Sequence, residues 1–142
     1  MKPPIFSSKP SGTKAQQYLH RARMFREAAV SLPDYRNGER FWPKYALLTH
    51  ALELSLKAFV GNPPGNQPHN HDLQGWYQLA LERGLSDEPG VKDNVDLLNE
   101  LHRTHYTRYP QDGSRQVPDA SAIADDTVDH LMFAVTQLIN PR

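Results

Sequence analysis

Apolar positions crowd into the stretch Tyr45 to Val60, YALLTHALELSLKAFV. Wound as a helix, it puts Tyr45, Leu48, Leu52 and Phe59 on one stripe and Leu47, Ala51, Leu54 and Ala58 on another. Thr49, His50, Glu53 and Lys57 break the pattern, and the last three of these fall at i, i+3 and i+7. A helix apolar nearly all round is a buried helix. This one is too short and too charged to span a bilayer. The pattern therefore predicts a central helix wrapped by the rest of the fold, with one thin polar stripe that must face something polar.

Helical spacing recurs on both sides of it. Thr13 caps a first helix, with Gln16 completing a capping box, and Ala15, Tyr18, Ala22, Phe25, Ala29 and Leu32 repeat along it. Its other face carries Lys14, His20, Arg21, Arg23 and Arg26, and Pro33 ends it. Residues 34–43, DYRNGERFWP, read as a loop. Gly61 caps the central helix ahead of Pro63 and Pro64. Asp72 caps a third helix carrying Leu73, Trp76, Tyr77, Leu79, Ala80 and Leu81, which ends at Gly84. Ser86 or Asp87 opens a fourth, with Val91, Val95, Leu98, Leu101 and Tyr106 inward, ending near Pro110. Asp119 or Ser121 opens a fifth, with Ile123, Val128, Leu131, Met132, Val135, Leu138 and Ile139. No stretch alternates with period two, so the expectation is an all-α antiparallel bundle of about five helices and no sheet. Residues 1–12, rich in proline and serine, read as a flexible arm before one helical domain over 13–142.

Composition narrows the chemistry. The 142 residues suffice for one core without staples. With no cysteine, disulfides and thiolate metal sites are excluded. The start, MKPPIFSSKPSG, lacks the apolar run of a signal peptide, so the expected location is cytoplasmic, away from membranes. A formal net charge of zero removes any strong global field for nucleic acid. The basic face of the first helix nevertheless offers phosphate contacts, which give affinity without sequence information.

Four pieces, in order, resemble the HEPN family of helical domains. They are HALELSLKAF with its Glu53 and Lys57 pair, the loop ending in His71, Asp72 and Leu73, the LALERGL close of the third helix, and YTRYP from Tyr106 to Pro110. The resemblance covers roughly residues 15–140. It implies an all-α bundle, usually homodimeric, tied to RNA or nucleotide chemistry. Many members are metal-independent ribonucleases of toxin–antitoxin or defence systems, and others partner small nucleotidyltransferases. The nuclease members carry an Arg-x(4–6)-His motif. Here Arg103 and His105 have one residue between them, Arg40 lies too far from His50, and Lys44 to His50 has the spacing but the wrong cation. The motif is absent.

Cleaving RNA without metal takes a base for the 2′-hydroxyl and a cation for the phosphate. His102 or His105 with Arg103 or Arg108 are the candidates for those roles; alternatively Tyr106 and Tyr109 close the core and the charged groups are solvated. Glu53 and Lys57, an i, i+4 pair with the acid first, should line a groove or an interface together with His50. His69, His71 and Asp72 fit a helix start, with Asp72 as cap and His71 fixing the loop, better than a metal site, since zinc asks for three or four well-placed ligands. No cofactor or metal is expected. The leading reading is a non-catalytic dimeric binding or partner module, with a nucleotidyltransferase, an antitoxin, RNA or a nucleotide as partner. The alternatives are a divergent metal-independent ribonuclease using residues 102–108 and a purely structural oligomeric protein.

Overall fold

The computed structural model describes residues 2–5, 12–61, 68, 71–104, 117 and 119–139. Helix α1 spans Lys14–Val30, and α2 spans Trp42–Val60. Between them lie two short strands, β1 (Tyr35–Arg36) and β2 (Glu39–Arg40). Helices α3 (Leu73–Glu82) and α4 (Pro89–Arg103) follow. The chain closes with α5 (Ala120–Ala122), a π-helical stretch (Ile123–Val128) and α6 (Asp129–Ile139), which run on without a break. The expected all-α bundle is the observed one.

Its centre is α2, which packs against every other helix of the bundle. Tyr45, Leu48, Ala51, Leu52, Leu56, Ala58 and Val60 are buried. Around them gather Leu73, Trp76, Tyr77 and Ala80 of α3 and Val91, Val95, Leu98 and Leu101 of α4, with Ile123, Val128 and Leu131 from the last helix. The buried hydroxyls Thr49 and Ser55 return their protons to the carbonyls of Tyr45 and Ala51, one turn back, so neither is left unsatisfied. Leu19 of α1 joins Ala58 and Val135 in a small second cluster.

The helix ends obey local chemistry. Thr13 and Gln16 form the reciprocal capping box. Gly61 closes α2 with a positive φ of 71°. Asp72 Oδ1 accepts from the Gly75 amide at 3.0 Å. A Cβ at Gly75 would meet Asp72 Oδ2 at 2.5 Å and Pro68 Cβ at 3.0 Å, so a side chain there would press on the cap.

Four expectations need correction. Residues 34–43 hold a β-hairpin, with Tyr35 opposite Arg40 and Arg36 opposite Glu39. Asn37 and Gly38 turn it with φ of 54° and 77°, as a primed two-residue turn requires. Helix α4 starts at Pro89 rather than Ser86 or Asp87, because proline fits the first helical position, where no amide partner is needed. It ends at Arg103, not near Pro110, and the Thr104 hydroxyl then bonds the Glu100 carbonyl. Leu138, read as one of the apolar positions of the last helix, is 54% exposed, while its neighbour Ile139 packs against the second cluster. No described helix is long and apolar enough to cross a membrane.

Candidate functional site

The polar stripe of α2 meets the start of α3 and the end of α4. Helix α3 is anchored there by Asn99 of α4, whose side-chain oxygen accepts from the Leu73 amide at 3.0 Å. That bond and the Asp72 cap fix the chain just ahead of α3, and so fix His71. One turn after Asn99 on α4 comes His102, on the same face of the helix.

The result is a compact cluster. His71 Nδ1 donates to Glu53 Oε1 at 2.8 Å. Lys57 Nζ stands 3.6 Å from the other carboxylate oxygen, Oε2, and 5.6 Å from the centre of the Trp76 ring. The His71 and His102 rings meet edge to face at 4.9 Å, and His50 meets His102 at 6.3 Å. Phe25 of α1 stacks on His50 at 5.3 Å. The Glu53 side chain is 8% exposed whereas that of His71 is 54% exposed, so the cluster has a protein-enclosed carboxylate at its base and solvent at its His71 side. A buried carboxylate is costly unless paired and hydrogen-bonded, and Lys57 and His71 do both. Among the described residues, Glu53, His71 and His102 form the one group whose donor atoms, one from each residue, all lie within 4.8 Å of one another.

Of the residues singled out in the sequence, His50, Glu53, Lys57, His71 and His102 come together. Arg103 does not join them. It sits on the exposed side of α4 and makes a forked ion pair with Glu100, the closest contact 2.9 Å. His69, His105, Tyr106, Arg108 and Tyr109 lie outside the described residues. The reading of His102 as a solvated group is corrected: it turns into the cluster and is half-buried.

The basic face of α1 is also partly spent. Arg26 pairs with Asp125 and Asp129, and Arg23 donates to the Thr136 hydroxyl at 3.2 Å. Lys44, placed at motif spacing from His50, is committed to Asp34 at 2.7 Å and the Leu32 carbonyl at 3.1 Å.

Sequence reasoning missed that His71 and His102 meet over Glu53. The available signal was the shared i, i+3 face of Asn99 and His102, which does not by itself name the loop it will touch. Comparison with known proteins finds no family model, no curated protein and no solved structure that matches the chain.

Proposed function

We propose that the chain is a non-catalytic, dimeric, HEPN-like helical module that binds RNA, a nucleotide or a protein partner such as a nucleotidyltransferase or an antitoxin. The observation that carries this reading is the divergence of His102 and Arg103. Metal-free cleavage of RNA needs a base and a cation converging on one phosphate. Here the histidine faces Glu53 and His71, and the neighbouring arginine is held by Glu100 on the opposite, exposed side. The resemblance of HALELSLKAF and the HDL loop to HEPN domains supplies the class, and in this chain the residues that carry it, Glu53, Lys57 and His71, satisfy one another beside the start of α3.

Losing an electrostatic partner to the transition state typically costs about 10²–10³ in rate. The purified chain should therefore show no cleavage of a mixed single-stranded RNA in the presence of chelator, as read on a denaturing gel. Cleavage that disappears in both His105→Ala and Arg108→Ala, with the fold intact by circular dichroism, would instead establish the divergent ribonuclease.

A further inference from the structure

We infer that Glu53, His71 and His102 form a binding site for a single divalent transition-metal ion of the zinc type. This goes beyond the module reading and does not depend on it. The donor set is two imidazoles and one carboxylate, a combination that suits zinc with three protein ligands and leaves the fourth position for water or an incoming ligand. Three elements supply the donors: Glu53 from the middle of α2, His102 from the last turn of α4, and His71 from the capped turn before α3.

The geometry is close to what the ion needs. Metal–ligand bonds of about 2.0–2.2 Å in a tetrahedron place donors roughly 3.4 Å apart. The three donor atoms lie within 4.8 Å of one another, so the longest leg must close by about 1.4 Å, within reach of a side-chain rotation. One leg, 2.8 Å from His71 Nδ1 to Glu53 Oε1, is bridged by a proton and must open to about 3.4 Å to admit the ion. An ion held by these two atoms would take that proton's place at Nδ1, and the neutral imidazole would then carry its one ring proton on Nε2.

The surroundings select the class of ion. Lys57 holds Glu53 Oε2 and directs Oε1 toward the histidines, so the carboxylate binds through one oxygen. Its positive charge also opposes any cation held by charge alone. Magnesium and calcium want several oxygen ligands and find one carboxylate beside an ammonium group. Zinc, nickel and copper gain from the imidazole bonds themselves. His71 gives the ion its route in, since its side chain is open to water while Glu53 is enclosed. The fold needs no ion to satisfy the buried carboxylate, which already has Lys57 and His71, so metal adds to a preformed site.

The test is a calorimetric titration of the tag-free, chelator-stripped full chain with zinc chloride alone, repeated with magnesium chloride. The expected result is one zinc per chain in the micromolar range or tighter, with no measurable magnesium binding. Both His71→Ala and His102→Ala should weaken zinc binding by at least about tenfold, while His20→Ala, on the exposed face of α1, leaves it unchanged. Should His102→Ala fail to fold, His71→Ala decides alone, because a side chain more than half exposed is not needed for the core. Zinc binding that is absent in the micromolar range, or equally tight in His71→Ala, overturns the inference.

Discussion

Tyr77 shows how a single buried polar atom sets a condition on the fold. Its ring is in the core, 3% exposed, and its hydroxyl donates to Asp87 Oδ1 at 3.3 Å. Burial, with Asp87 beside it, pushes its pKa from 10.0 up to about 12. The neutral phenol is therefore favoured in the folded chain. The stability this represents is complete below pH 10 and is lost as pH rises through about 12, because the unfolded phenol ionises first. A shift of this size is worth at most about 2–3 kcal/mol. Urea denaturation at about pH 9 and pH 12 should show an alkaline loss that shrinks in Tyr77→Phe. An unchanged loss would assign it to other groups, such as Tyr45, whose pKa burial also raises, against the opposing hydrogen bond from Arg40. Glu53 and Lys57 make a second residue-level case. An exposed i, i+4 pair is worth a few tenths of a kcal/mol. This one has side chains 8% and 14% exposed. Glu53→Ala and Lys57→Ala should couple by more than about 0.5 kcal/mol in a double-mutant cycle. Strict additivity would mean that the ammonium contributes nothing to holding the carboxylate.

Among the elements, α2 carries the core, and Leu52 near its middle is fully buried. Leu52→Ala should cost about 2–5 kcal/mol by chemical denaturation, the range for truncating a core leucine. A loss below half a kcal/mol would mean that the site collapses without a cavity. The burial of α2 was legible because apolar residues surround its axis, and the caps at Thr13, Gly61 and Asp72 were legible because each is a contact between residues close in sequence. The hairpin was not. Two-residue strands are too short to display alternation, and the informative signal was the dipeptide Asn37–Gly38 rather than any period. The start of α4 was misplaced for a related reason, since Ser86 and Asp87 look like caps while Pro89 sets the first turn. The candidate site divides the same way. Glu53 and Lys57 were readable as a pair within one helix. The bond from Glu53 to His71 spans eighteen positions and two elements, and periodicity tells which face a side chain is on, not which loop will meet it.

At the scale of the molecule, two of the α1 cations, Arg23 and Arg26, are engaged by the fold itself. Arg26 reaches both Asp125 and Asp129, and Arg23 reaches Thr136, so these side chains latch α1 to the last helix. A surface that ties itself down offers less charge to nucleic acid than its sequence suggests, which favours a protein or nucleotide partner over phosphate-backbone binding within the proposed module. The homodimer that the HEPN resemblance implies has a direct check: sedimentation should give twice the chain mass at micromolar concentration. A lone 16.2 kDa species at high micromolar concentration would remove the dimer from the proposal.

The π-helical stretch Ile123–Val128 has a bearing on which changes in length the chain tolerates. Its bonds reach five residues back, as from the Asp129 amide to the Ala124 carbonyl, so the stretch holds about one residue more than ordinary winding would. The wider turn takes up that surplus, so the residues after it keep the phase that they would have without it. Delete one residue, say the exposed Asp126, and the segment can return to regular winding with the downstream faces kept in phase. Leu131 and Val135 would then keep their places in the core, and Asp129 its reach to Arg26. Removal of Asp126 should therefore cost less stability in chemical denaturation than removal of one residue from the regularly wound α2, so this helix carries a residue that it can give up without losing step.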